Sequence, residues 1–448
     1  MHSAAIIQRS VIALSGLAGA SGALVASRVI GMATSFLFTL VLARVLSPAD
    51  VGAVLTIMSG AFLISLFVTM NIESGSIRFV VAAKENGQEA AARGFLWFGR
   101  FMIIAISPFA ITGFYFAFHL WGGETTSRYD VLIWLAAAAI PIMGWLRFSG
   151  SIATAVGAPL KGSAPRTSVQ PIVMLGVFSL SATAAGAASP ALAGAGFLAA
   201  FVVAAIVQSV LLREKVRFGI DRVRNFSAWR DWLANGLYLS PLILLQENLQ
   251  YAAIFAASLG LGAGDVAIYA IAFRFVGIIR FAVLAVNIAA SAKISQAMTN
   301  GDTLLRDHTL RQAALLKVPP TVAAIAFVIL FAEPILGLFG NAYARGAQAL
   351  IWFTLIPISA AIFGPNQMLL NIAGYRRSAS GASLIALTIL VVAVAYSGKV
   401  FGVAGAAAAT AIVYSLWELS LFVLVRVKTG ANASIFPVTP KLIYPVAD

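Results

Sequence analysis

Cysteine is absent from the 448 residues, and charge is scarce, with Asp, Glu, Lys and Arg making up only 10% of the chain. Without thiols there are no disulfides, Fe–S clusters, c-type haem attachments or thiolate zinc sites. The three histidines, His2, His119 and His308, stand too far apart for metal-ligand spacing. No Gly-rich loop closing on Lys-Ser/Thr is present, which excludes direct ATP use. No Ser/His/Asp constellation is credible either, and no loop is long enough to hold a catalytic domain, so the chain reads as a non-enzyme without cofactor. Soluble domains carry roughly 25% charged residues. With 60% apolar residues and a mean hydropathy of +0.94, the sequence describes an integral membrane protein.

Apolar runs of about 20 residues suit a hydrocarbon core about 30 Å thick. Twelve such runs are present: 20–43, 51–72, 99–120, 131–156, 167–187, 191–212, 233–259, 266–290, 313–340, 347–371, 379–397 and 402–425. The fold class is therefore all-α and polytopic. A secretory signal is a competing reading of the N-terminus, but apolar character resumes after Arg28 and continues to Ala43. The stretch before Gly22 is expected to be a surface-lying lead-in.

Charge placement gives orientation. Of 30 basic residues, only Arg44, Arg128, Arg345 and Lys399 fall on the side opposite the N-terminus, and Arg28, Arg147, Arg274 and Arg280 fall inside spans. All the others, Lys317 among them, fall on the side of the N-terminus, which places both termini in the cytoplasm. The net charge of +14 is thus a positive-inside signature and not a nucleic-acid surface.

The halves echo one another. ARVLSPADVG at Ala43–Gly52 has a weaker counterpart in SLGLGAGDVA at Ser258–Ala267, with Asp50 matching Asp265; LAGAG at Leu192–Gly196 matches VAGAA at Val403–Ala407. These offsets imply two six-helix bundles repeated in parallel around a central cavity. The expected division is an N-terminal bundle at 1–212, a basic cytoplasmic linker at 213–232, a C-terminal bundle at 233–428 and a tail at 429–448. The linker's positive charges suit either an ordinary inside loop or anionic membrane lipids. The Gly/Ala-rich stretches 182–196 and 402–411 read as packing surfaces.

Ionisable side chains at membrane depth are costly and mark function or internal pairing. Arginine stays protonated, so Arg28, Arg147, Arg274 and Arg280 are candidates for holding an anion and not for relaying protons. Arg147 could instead pair with a neighbouring helix. Among the acids at depth, Glu73, Glu247, Glu333 and Glu418, the ion-coupling candidates are Glu247 and Glu73, with H+ or Na+ as the coupling ion. Glu247 has a salt bridge to Arg274 or Arg280 as its alternative, and Glu73 is expected near Arg78 at the interface. Gln246, Asn248 and Gln250 surround Glu247, while Asn366, Gln367 and Asn371 follow Pro365; both groups are candidate polar cavity linings.

The segment Leu42–Gly52, LARVLSPADVG, resembles a signature of the polysaccharide flippases in the multidrug/oligosaccharidyl-lipid/polysaccharide exporter superfamily. The segment Gly402–Thr410, GVAGAAAAT, and the turn Gly374–Arg377 are similar to two further motifs of that family. Ser47 stands where the family usually has Gly, and Val51 where it has an aromatic. The resemblance implies a cationic cavity between two lobes and the flipping of an undecaprenyl-diphosphate-linked saccharide across a bacterial inner membrane by alternating access. It supports Arg28 and Arg274 as cavity residues and implies polysaccharide-assembly proteins as partners. The alternative is a cation-coupled multidrug and toxin exporter. The near-equal numbers of arginines and acids at depth disfavour cationic cargo.

Overall fold

The computed structural model describes residues 2–122, 127–213, 223–300, 302–432 and 434. Helix dominates it, and no strand occurs among these residues. Helices α1 (His2–Val45) and α2 (Pro48–Val68) come first, followed by α3 (Glu89–Gly122) and α4 (Asp130–Ala155). A short turn and a π-turn, Pro165–Val169, lead into α5 (Gln170–Ala184), and α6 (Pro190–Leu212) follows. The second half holds α7 (Trp229–Glu247), α8 (Leu249–Ser258), α9 (Ala263–Thr299) and α10 (Thr303–Gly337). It continues with α11 (Ala347–Phe353), α12 (Leu355–Phe363), α13 (Asn366–Ile372) and α14 (Arg376–Thr429).

Among the described residues, eight helices are long and apolar enough to cross a membrane, and the bent pair Ala347–Phe363 and Asn366–Ile372 makes a ninth. The twelve expected runs map onto these helices with two informative breaks. α14 covers the last two runs and turns at Gly402, whose φ of 65° and ψ of −154° suit glycine. The run at 233–259 splits into α7 and α8 at Asn248, and the run at 266–290 lies in α9 with its two arginines. The stretch before Gly22, expected as a surface-lying lead-in, is helical and continuous with the first span. Asp50 and Asp265, matched in the repeat, each occupy the first turn of a helix, where a carboxylate favours the exposed N–H groups. Ser47 completes the α2 cap by accepting the Asp50 N–H at 3.2 Å and donating to the Asp50 carboxylate at 2.7 Å.

The chain divides into two compact units, one comprising Met1–Leu46 and Gly60–Leu237, the other Ser47–Ser59 and Tyr238–Asp448. In the first, α4, α5 and α6 pack through small residues: Gly194 faces Leu132 and Leu135, and Gly196 faces Phe178. Edge-on contacts of Phe62 with Phe197 and Phe201 fill the space between α2 and α6. α1 meets the Pro165–Val169 turn closely, with the Ser27 hydroxyl bonded to Thr167 at 2.8 Å. A Cβ on Gly31 would stand 1.6 Å from the Thr167 carbonyl oxygen, whereas one on Gly22 would meet nothing within 4 Å. Gly31→Ala is therefore expected to lower stability by about 1–3 kcal/mol through overpacking. Gly22→Ala should stabilise slightly through helix propensity. Thermal unfolding of the two variants side by side checks this, and equal shifts would remove the close approach as the cause.

In the second unit, Tyr269 on α9 is fully buried, donates or accepts a 2.6 Å bond with Thr410 and packs edge-on against Phe353. The Trp417 indole donates to Ser383 Oγ at 2.9 Å, tying the two halves of α14 together. The Ser380 hydroxyl bonds the Tyr238 carbonyl, which anchors the start of this unit on α14.

Candidate functional site: two buried charge clusters

The irregular segment after α2 builds the first cluster. Met70 and Asn71 adopt left-handed φ values of 47° and 55°, which cost energy outside glycine and end the helix. A 3-10 turn, Ile72–Gly75, follows and carries Glu73 inward to 6% exposure. Arg147 on α4 donates twice to Glu73 Oε1, from Nε at 3.1 Å and from Nη2 at 2.7 Å. Its Nη2 also reaches Asn71 Oδ1 at 3.4 Å, and Ser151 Oγ donates to the Glu73 carbonyl at 2.7 Å. Glu73 thus pairs with Arg147 from another helix, and not with Arg78 at the interface as the sequence suggested. The chain reversal at Asn71 turns the carboxylate toward α4. Gly236 on α7 packs on this break, and its carbonyl accepts from Asn71 Nδ2 at 3.4 Å.

Arg28 is exposed on α1, beside the buried Ser27. Gln246 and Glu247 are exposed at the end of α7, and Gln250 is half-buried on α8. Asn248 bends its amide back to donate to the Ile243 carbonyl at 3.3 Å, which explains the helix break between α7 and α8. The polar run at 246–250 thus straddles the break between α7 and α8.

The second cluster lies on α9, α10 and α14. Arg274 is half-buried on α9 and interacts electrostatically with Tyr251 on α8. Two turns further along, the Arg280 guanidinium lies 5.3 Å from the centre of the Tyr414 ring. Tyr414, 1% exposed, donates from its hydroxyl to Glu418 Oε1 at 2.9 Å. Glu418 lies within electrostatic reach of both Arg280 and Lys317. Lys317, counted above among the cytoplasmic loop charges, is 1% exposed within α10, two residues before Pro319. A charge count assigns a lysine near a span end to the nearer side and has no means of seeing its burial. The lone Lys in LLKVPP, set in an apolar stretch, was the available signal.

Asn366 and Gln367 are buried at the start of α13, after a 46° bend at Gly364 and Pro365. Both polar side-chain atoms of Asn366 lack hydrogen-bond partners. An open groove of about 440 Å³ between α11 and the Gly402 turn is lined by Gln348, Trp352, Phe401 and alanines; it carries no charge and so offers nothing to an ion.

The helix order, the broken spans and the two compact units define a polytopic helical membrane protein. Residues 243–397 match the MatE family model. No curated protein sequence matches the chain. The fold is that of MOP superfamily transporters. A multidrug resistance MATE family transporter in an inward-facing conformation is 14% identical, with a TM-score of 0.67 over 91% of this chain and 99% of its own. The lipid II flippase MurJ in an inward closed conformation is 17% identical, with a TM-score of 0.68 over 91% of this chain and 87% of its own. A MOP superfamily transporter from Pyrococcus furiosus, whose binding pocket is described as having reverse polarity, is 16% identical at a TM-score of 0.67, over 91% and 95% of the two chains.

Proposed function

We propose that the protein is a transporter that moves a polyprenyl-diphosphate-linked oligosaccharide from the cytoplasmic to the outer leaflet of a bacterial inner membrane, with both termini in the cytoplasm. The observation that carries this reading is the excess of fixed positive charge at depth in the C-terminal unit. Arg280 on α9 and Lys317 on α10 share one acid, Glu418, within electrostatic reach of both. A guanidinium cannot be neutralised by proton loss, and its planar fork matches phosphate oxygens. A diphosphate head group would supply the missing negative charge, while the polyprenyl tail stays in hydrocarbon. Glu73 is held by Arg147, which favours a structural role for that pair over ion coupling. Glu247 and the exposed Arg28 remain the candidates for coupling to H+ or Na+ and for substrate contact, respectively.

A second reading has its own support in the MatE match over 243–397: a cation-coupled multidrug exporter. Proteoliposomes separate the two. Translocation of a fluorescent polyprenyl-diphosphate saccharide, with no efflux of cationic dyes, is the expected result. Dye efflux without saccharide movement would replace the flippase reading by the exporter one.

A further inference from the structure

Within the first unit, the end of the basic linker is fastened to the start of α3. Arg93 Nε donates to the Val223 carbonyl at 3.1 Å, and the Asn225 N–H donates to the Ala90 carbonyl at 2.9 Å. A Cβ on Gly94 would stand 1.9 Å from the Asn225 carbonyl oxygen, so the two backbones meet where only glycine fits. The buried Trp232 closes the seam against Phe95 at 5.4 Å and Phe98 at 5.6 Å. Arg224 is thereby fixed from both flanks, and its guanidinium lies 3.8 Å from the centre of the Trp97 ring.

A second guanidinium meets the same indole. Arg100 lies 5.7 Å from the Trp97 ring and 5.5 Å from the Trp145 ring, and these rings are its partners among the described residues. A ring face attracts a cation more weakly than a hydrogen-bonded anion does, so Arg100 is held in place and still able to take a stronger partner. Its depth says which kind. Arg100 stands one residue inside the apolar run 99–120, and Trp97, Arg100, Phe101 and Ile104 share one face of α3 at i, i+3, i+4 and i+7. Phe101 and Ile104 are exposed, so in a bilayer both meet acyl chains. On the linker, Phe226 and Trp229 are exposed as well, which is where aromatic rings sit at a membrane–water interface. Positive charge at head-group level above an apolar stripe matches a phospholipid; a soluble anion would leave the stripe unused.

We propose that Arg100 and Arg224, joined through Trp97, bind the head group of an anionic phospholipid whose acyl chains run along Phe101 and Ile104. The lipid belongs to the leaflet on the linker side and pins the linker end to α3. A zwitterionic head group would bring a cation of its own to two guanidinium groups, hence the preference for net negative charge. The site belongs to the first unit and rests on no assumption about the cargo.

The test uses the full chain in detergent, with palmitoyl-oleoyl phosphatidylglycerol as the probe and phosphatidylcholine of the same chains as the reference. Native mass spectrometry reads the dissociation constant of the first bound lipid. The wild type is expected to prefer phosphatidylglycerol about fivefold or more. Arg100→Gln and Arg224→Gln should each remove most of that preference, whereas Arg100→Lys keeps part of it, because the charge survives without the fork. Arg311 is an exposed arginine on α10; Arg311→Gln removes the same charge and should leave the preference at the wild-type value. If Arg100→Gln fails to fold, Arg224→Gln decides, since Val223 and Asn225 keep their backbone bonds to α3. No preference in the wild type, or an unchanged one in Arg224→Gln or in folded Arg100→Gln, overturns the proposal. An equal loss in Arg311→Gln would mean bulk charge, and displacement of the lipid by free glycerol phosphate would mean a soluble anion; either result also overturns it.

Discussion

Arg280→Ala is expected to reduce translocation of a polyprenyl-diphosphate saccharide about 30-fold or more, and Arg280→Lys to retain a measurable part of it. A charge-assisted hydrogen bond to a phosphate oxygen is worth roughly 1.5–3 kcal/mol, which sets that scale. Lysine keeps the charge but loses the bidentate fork, hence the partial recovery. The alanine variant should still fold, because Glu418 keeps Lys317 as a partner and Tyr414 keeps its hydrogen bond. Flipping rates in proteoliposomes, normalised to the amount of folded protein, read the effect. Equal rates for all three proteins would reduce Arg280 to scaffolding.

The second large effect concerns the N-terminal unit. Arg147→Ala leaves the Glu73 carboxylate at 6% exposure without its cation, and a broken buried pair costs about 3–5 kcal/mol. The penalty comes from the uncompensated charge, so Arg147→Met combined with Glu73→Leu should recover a large share of the loss. With two units, unfolding need not be two-state. Hydrogen exchange at residues 69–81 and 140–155 locates the effect better than a single melting curve. Protection in Arg147→Ala equal to the wild type would show that the pair carries little energy.

The spans were legible because hydrocarbon imposes its length on the sequence directly. Runs of apolar residues bounded by Gly, Pro and charge predict α2, α4 and α6 closely, since each depends only on its own composition. What escaped are features that depend on distant partners. Glu73 and Arg147 meet because Asn71 enters a left-handed conformation, and a lone Asn in a polar turn gives no sign of that. The burial of Lys317 is invisible to charge counting, which treats position along the chain alone. Arg280 was singled out on depth alone, but its relation to Tyr414 and Glu418 spans more than 130 residues of sequence and could only come from packing.

The turn at Gly402 bears on how the chain is made. There the polypeptide reverses without a loop: Gly398 faces Ala406, and a Cβ on Gly405 would stand 2.7 Å from the Ser397 carbonyl oxygen. The connector between the last two spans carries a single charge, Lys399, so little hydrophilic chain has to cross the bilayer during biosynthesis. The two segments, 376–401 and 403–429, can leave the insertion machinery as one preformed hairpin, already joined at Trp417 and Ser383. A topology reporter or epitope placed at this turn would therefore disturb insertion itself.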